Sequence, residues 1–394
     1  MSASGMRVAV VGAGIAGLTF AAALIQAGIQ CQVYERAPEL GEVGAGIQLS
    51  PNGTRLLHRL GAGAGLQAQA VRPAAIEMRR WDSGGLLMRT ALGQACADMY
   101  RGPYYCLHRA DLHAVLLALL PADVIQLGTR CTGVTGTGGE AAIEFADGSV
   151  ATADVVVGAD GIHSVIRQAL IDDEPRFAGQ AIYRGLIPAA RLPGLLEEPR
   201  VQLWLGPGQH CVCYPISAGD MVSFIATTPA GDWRGESWTE EGKAADIIQA
   251  YQGWNDDVQA VLDAAGTVTR WALHDRAPVG RWSGQRITIV GDAAHPMLPF
   301  GAQGANQAIE DAMTLAACLG AATPSGVPAA LARYEEIRRP RTEHVQRTIQ
   351  SNARNHHFAD GEDQRARDRA MDENWGLRGQ AWLFGYDALE EVAR

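Results

Sequence analysis

The sequence predicts an α/β protein in which a parallel-sheet domain is interleaved with an antiparallel-sheet domain and followed by C-terminal helices. Three observations carry this. The chain opens on an apolar strand, a glycine-rich turn and a small-residue helix. Two later apolar strands end in acidic-glycine turns, at residues 160 and 292. The stretch 175–275 between them changes to alternating polarity, rich in tryptophan and turn signals. The boundaries that follow place 1–172 and 277–340 in the first domain, 173–276 in the second and 341–394 in the helical region.

The first element is the most specific. Arg7 to Leu18 reads RVAVVGAGIAGL, so that Val8–Val11 leads directly into Gly12, Gly14 and Gly17, and the run Leu18–Leu24 continues as a helix. This is the G-x-G-x-x-G spacing of a dinucleotide-binding, Rossmann-like unit. Gly12 permits the tight turn, Gly14 lets a pyrophosphate approach the backbone, and Gly17 lets helix and strand pack closely. The free N–H groups at the helix start then favour the phosphates. The acid that binds a ribose hydroxyl is expected about 20 residues on, and Glu35 ends the next strand-like run, Cys31–Tyr34. An acid there points to NAD or FAD rather than NADP.

The remaining elements follow in order. Residues 41–53 form a glycine-rich loop, and a helix spans Thr54–Leu60. Residues 74–91 alternate as two strands around the turn 83–85, and His108–Leu119 reads as a helix. A hairpin within 140–157 turns at Asp147-Gly148 and runs into the apolar strand that precedes Asp160. The central antiparallel sheet carries a helix near 239–252. Arg286–Val290 returns to a buried strand, and long helical patterns span Asn306–Leu319 and Pro328–Asn355. The charged tail 356–373 is expected to be exposed, His356 and His357 with it. The apolar cluster of Trp375, Trp382, Phe384 and Tyr386 after it suggests a dimer contact.

Composition narrows the function. The 394 residues carry a net charge of −10, which disfavours nucleic acid and anionic membranes as partners. Seven scattered cysteines with no zinc-like spacing read as reduced thiols of a cytoplasmic protein. No signal peptide precedes the first strand, and no apolar run reaches membrane-spanning length. The ten histidines form no metal-binding pattern, so no metal is expected.

Taken in order, the glycine motif, the stretch VVVGADGIHSVIR (155–167) and the stretch ITIVGDAAHPMLPFGAQGANQAIEDA (287–312) resemble the single-component FAD-dependent aromatic hydroxylases, and the resemblance covers nearly the whole chain. Its members most like this chain act on salicylate, 3-hydroxybenzoate or 6-hydroxynicotinate. It implies that Gly12, Gly14, Ala16, Gly17, Glu35 and Arg36 hold the ADP half of FAD. Asp160, with Ser164 and Arg167, would serve FAD and the reductant, and Asp292 would lie on the ribityl chain. Pro299, Gly304 and Ala305 would lie beside the flavin ring and Arg109 near it. With one dinucleotide motif in the chain, NADH or NADPH would visit transiently. The implied activity is hydroxylation of a phenolic aromatic acid with O2, through a flavin C4a-hydroperoxide, with loss of the carboxylate when the target carbon bears it. A hydroxylase or epoxidase of non-phenolic or polyketide-like substrates, and a reductase without oxygen transfer, are alternatives on the same scaffold.

For the substrate, Gln209–Ile216 reads QHCVCYPI, and on a strand positions 210, 212 and 214 share a face. His210 and Tyr214 then lie roughly 13 Å apart, spaced to flank a ring. The resemblance implies that such a pair faces the substrate, with His210 as base for a phenol and Tyr214 as its hydrogen-bond partner. The 6-hydroxynicotinate enzymes carry His where this chain has Gln48 and Phe300, which favours a carbocyclic acid over a pyridine. Arg184 is a candidate carboxylate partner, an ion pair within the sheet being the alternative.

Overall fold

The computed structural model describes residues 5–41, 45–137, 139–195, 197–231, 233, 235 and 240–394, apart from the side chains of 137, 195 and 372–374. A five-stranded parallel sheet has the order Ile287–Ile289, Val155–Gly158, Arg7–Val11, Gln30–Tyr34, Ile125–Gln126. The first three strands in this order are the apolar runs before the three acidic or glycine turns, and they lie side by side. Parallel strands covered on both faces must be apolar throughout, and Val155–Gly158 is buried at every position. The helices Ile15–Gln26 and Gly304–Gly320 pack together over this sheet.

The second sheet has eight strands, in the order Glu241–Gly242, Val268–Asp275, Arg176–Pro188, Met221–Pro229, Gln209–Ile216, Arg200–Gly206, Ala75–Arg80, Leu86–Ala91. Its last two strands come from the sequence hairpin at 74–91, within the stretch grouped with the first domain. Ala75–Arg80 joins the sheet by parallel pairing with Arg200–Gly206. One face of this sheet packs under the helices Ala244–Ala250 and Asp256–Ala264, and the other lines the main cavity.

Most element positions agree with the sequence to within a few residues. The helix expected near 239–252 is Ala244–Ala250, with residue 239 outside the described residues, and Asp256–Ala264 follows it. Of the loop 41–53, residues 42–44 are outside the described residues, and the rest forms the strand Gly46–Leu49 and the start of the helix Pro51–Arg59.

The tail departs from expectation. The helix Val327–Asn355 ends on His356, which is 3% exposed. The helix Glu362–Trp375 presents charge to solvent but buries Met371 against Met78, Met88 and Leu205. The aromatic cluster also turns inward. Phe384 meets Tyr100 and Tyr104, and Trp382 and Tyr386 cover the Arg341 guanidinium. Contacts within the chain thus account for the cluster that suggested a dimer. Among the described residues no helix is long and apolar enough to cross a membrane. All seven cysteines are free.

Candidate active site

The first cavity lies at the C-terminal ends of the parallel strands, where open α/β sheets bind ligands. It is lined by Gly12, Gly14, Glu35, Arg36, Arg109 and Asp160, among others. The three glycines behave differently. Gly12 holds φ +106°, and a Cβ there would lie 2.4 Å from the Ala159 carbonyl oxygen. A Cβ on Gly17 would lie 2.0 Å from the Gly12 carbonyl oxygen. Around Gly14, the N-cap of the helix, nothing lies within 4 Å of the added atom. Protein packing therefore explains Gly12 and Gly17, whereas open space beside a helix N-terminus explains Gly14, and a phosphate fits that space. Glu35 accepts the amides of Ala13 (2.8 Å) and Ala37 (2.9 Å), which fixes its carboxylate at the cavity wall.

The other expected cofactor residues divide. Asp160 lines this cavity but uses its carboxylate as a cap, accepting from Ser164 Oγ (2.5 Å) and the Val165 amide (2.8 Å). Arg167 is fully buried and ties Asp173 to the carbonyls of Ala293 and Ala294, so it is a brace between two turns. Ala16 lines neither cavity and packs against Gly291. Asp292 opens into the main cavity, and enclosure by protein raises its pKa against the pull of His295 and Arg109.

Beneath this turn lies a buried ion network. Asp311 accepts from the Gly291 amide (2.9 Å) and His295 Nε2 (2.5 Å), while Arg338 bonds both Asp311 (2.8 Å) and Glu310 (2.5 Å). All four side chains are at most 1% exposed. His295 is held in this network by Asp311. The role of Arg338 was missed, although a charged pair in the otherwise uncharged run 306–319 signals a buried partner.

The main cavity, of about 290 Å³, lies between the eight-stranded sheet and the segment 297–305. Gln48, Asp292, Pro299, Phe300, Gly304 and Ala305 line one side, and His210, Val212 and Tyr214 line another. Strand alternation explains the second set, because Cys211 and Cys213 turn to the opposite face and pack with Trp204 and Phe224. Near Tyr214, Tyr104 donates to Gln48 Oε1 (2.6 Å). Burial raises both phenols, so they remain neutral donors. Arg184 is not among the lining residues. It stands one strand further along, over Trp271 at 4.1 Å, with Nε donating to Thr269 Oγ1 (3.2 Å). Among the described residues, no Arg or Lys lines this cavity.

At its other end the cavity meets a histidine cluster that the sequence did not announce. The His210 and His357 rings stack with centroids 5.0 Å apart, and Nδ1 of the first lies 2.8 Å from Nε2 of the second. His357 Nδ1 in turn lies 2.9 Å from the Gln180 amide. His210 also meets Phe300 edge-on at 5.2 Å. Burial holds the imidazoles neutral, joined at His356 and His210 by the neighbouring rings: His356 is lowered to about 3, His357 to about 4, and His210 well below its ordinary value. The expectation of a solvated face at His356 and His357 is therefore corrected. The end of the long helix turns them inward onto His210, and the adjacent charged residues take the solvent side.

The cofactor fit rests on geometry. The Gly14 opening and the Glu35 wall suit an ADP moiety, and the apolar slot lined by Asp292, Pro299 and Ala305 suits a flat ring system. These features define an FAD-dependent oxidoreductase. The comparisons agree. The family described as FAD binding domain matches residues 5–348. The 3-amino-4-hydroxybenzoate 2-monooxygenase of Streptomyces platensis is 48% identical over 388 residues, covering 98% of each chain. The 6-hydroxynicotinate 3-monooxygenase of Pseudomonas fluorescens is 35% identical over 389 residues, covering 97% of this chain and 95% of that one. A salicylate hydroxylase substrate complex superposes with a TM-score of 0.84 at 28% identity, covering 99% of this chain and 98% of that one. The chain belongs to the FAD binding domain family and is an FAD-dependent aromatic monooxygenase with NAD(P)H as the consistent reductant.

Proposed function

We propose that this enzyme hydroxylates a carbocyclic aminohydroxybenzoate and retains its carboxylate. The main support is the pairing of His210 and Tyr214 on one wall of a largely apolar slot that no Arg or Lys lines among the described residues. A relative sharing 48% identity is named for 3-amino-4-hydroxybenzoate and position 2. That carbon bears hydrogen, so oxygen insertion leaves the carboxylate in place. A 6-hydroxynicotinate 3-monooxygenase attacks the carbon bearing the carboxylate, and one such relative is 35% identical. Gln48 and Phe300 in this cavity also favour the carbocyclic ring.

Bound FAD would take a hydride from NADH or NADPH and deliver one oxygen atom of O2 to the ring, the other leaving as water. The chain's own work is to position the ring, exclude water and manage protons. Position 2 lies ortho to the amine and meta to the 4-hydroxyl, so the amine lone pair activates it and the phenol need not ionise. His210 suits this. With the Gln180 N–H directed at His357, the His357 Nε2–H donates to His210 Nδ1, and His210 offers Nε2–H to a substrate oxygen. Turning the Gln180 amide reverses the chain and makes His210 an acceptor, the form a phenolate-dependent ring would need. We place the enzyme in the cytoplasm, where NAD(P)H is at hand and free thiols stay reduced.

The test is turnover by purified FAD-loaded enzyme of 3-amino-4-hydroxybenzoate, 3-hydroxybenzoate, salicylate and 6-hydroxynicotinate, following NAD(P)H, O2, peroxide and CO2. The expected result is coupled O2 uptake with the amino acid alone and no CO2. Faster coupled turnover of another ring, or release of CO2, overturns the assignment.

A further inference from the structure

A second cavity, of about 390 Å³, lies against the long helix Val327–Asn355. His344, Thr348, Ser351 and Asn355 line it, and their spacing puts them on one stripe of that helix. Trp382 joins them, edge-on to His344 at 4.5 Å. Among the described residues, no Asp, Glu, Arg or Lys lines this cleft. Gly301, Gln303, Trp375, Gln380 and Leu383 line both the cleft and the main cavity, so they form the partition between the two. Much of that partition is fixed. Gly301 is packed against the helix, where an added Cβ would lie 3.1 Å from Ile349 Cγ1. Gln303 is buried and bonds Ser50 (3.0 Å) and Asn52 (3.2 Å). Leu383 is buried and its carbonyl accepts from Arg341 (3.1 Å). Trp375 is placed differently. Its carbonyl is anchored by Thr90 Oγ1 (2.7 Å), but the residue is only half-buried. It also borders a third cavity, of about 320 Å³, lined by Phe358, Arg367 and Met371 among others. A side chain with an anchored backbone and open space beside it can change rotamer without moving the chain.

We propose that this cleft is the passage by which the aromatic acid enters the main cavity and its product leaves, with the Trp375 indole as gate. This deepens the reading of the enzyme as an aromatic-acid monooxygenase and rests on it. The walls suit transit. The chain's net charge of −10 holds an anion off acidic surface, whereas the cleft shows the acid no carboxylate to repel it and no Arg or Lys to trap it. Hydroxyl and amide groups of Thr348, Ser351 and Asn355 stand in for water around the polar substituents, and the indoles of Trp375 and Trp382 receive the ring face. With the indole in the partition the main cavity is closed, as a reaction that excludes water requires. Turned into the third cavity, it leaves the partition open. A group that acts only on the way in has a distinct kinetic mark. It sets the height of one barrier crossed in both directions, so it changes entry and exit by the same factor and leaves the affinity unchanged.

The experiment mixes FAD-loaded enzyme with 3-amino-4-hydroxybenzoate in a stopped-flow instrument, without NAD(P)H, and follows the flavin spectrum. The concentration dependence gives the association rate, displacement gives the dissociation rate, and a titration gives Kd. Ser351→Trp and Thr348→Trp narrow the cleft at residues that do not line the main cavity. They should slow association and dissociation together, by about fivefold or more, with Kd held within about twofold. Trp375→Ala, or Trp375→Leu should alanine fail to hold FAD, should speed both rates and raise the share of O2 released as peroxide. Unchanged rates in both narrowing variants, or a changed Kd with an unchanged association rate, overturn the passage. Unchanged rates and coupling in the Trp375 variant overturn the gate. Failure of the aminohydroxybenzoate assignment would show separately, as no flavin response to that acid in the unsubstituted enzyme. The same measurements with 3-hydroxybenzoate then decide the passage.

Discussion

Replacing Gly14 with Ala should weaken FAD binding while leaving the protein folded, and Gly17→Ala should do the reverse damage. At Gly14 the backbone is extended (φ −76°, ψ −175°), which alanine adopts freely, and the new methyl meets no protein atom within 4 Å. The cost to the apoprotein is the modest one of alanine at a helix N-cap, under about 1 kcal/mol. The methyl instead enters the space beside the helix N-terminus and holds a pyrophosphate off the backbone. Losing one charge-assisted hydrogen bond there costs about 1.5–3 kcal/mol, roughly 10- to 150-fold in FAD affinity. At Gly17 the methyl would lie 2.0 Å from the Gly12 carbonyl oxygen, where ordinary contact begins at 3.4 Å. Helix and strand must then separate, an overpacking cost of about 1–3 kcal/mol or more. The assay is a flavin-fluorescence titration of each apoprotein beside its thermal melt. Gly14→Ala binding FAD within about threefold of the parent, or melting as low as Gly17→Ala, would refute the division of roles.

Three further outcomes follow from the buried groups. Arg338→Met removes the cation shared by buried Glu310 and Asp311, leaving them only Arg341 and His295, so stability should fall by about 3–5 kcal/mol in denaturant melts; a loss under about 1 kcal/mol contradicts the network's role. His356 and His357 are held at about 3 and 4 when folded, below the ~6.5 of an unfolded chain. The unfolded state thus binds more protons between those values, and stability should be full above pH ~6.5 and decline on acidification, by on the order of 1 kcal/mol per pH unit from buried His356. Urea midpoints at several pH values check this, and His356→Phe should flatten the decline. His357→Phe removes the nearer partner of His210 Nδ1 and leaves Thr227 Oγ1 at 3.3 Å, so kcat should drop about tenfold or more with FAD content intact; an unchanged kcat and pH profile would show that the contact does not set the state of His210.

The legibility of this chain divides by the range of the interactions. Strand, turn and helix around Gly12–Gly17 are set by local sterics, so the spacing alone located them. The cavity face of Gln209–Ile216 was legible because alternation is local too, and His210, Val212 and Tyr214 indeed share it. His356 was misread for the converse reason. The charged residues after it describe the solvent side of the tail correctly, but the burial of one imidazole depends on where a helix of 29 residues ends relative to the distant strand Gln209–Ile216. Arg184 shows the same limit: its place in a strand could be read, but not that it stands one strand beyond the cavity, stacked on Trp271. With no cation in the described lining, recognition of an aromatic acid here falls to neutral donors and acceptors. Such groups discriminate by leaving a partner unpaired rather than by attraction. Two active sites on this fold can therefore share the glycine turns and the flavin slot and still choose different rings, and the choice rests on side chains that arrive from the far end of the chain.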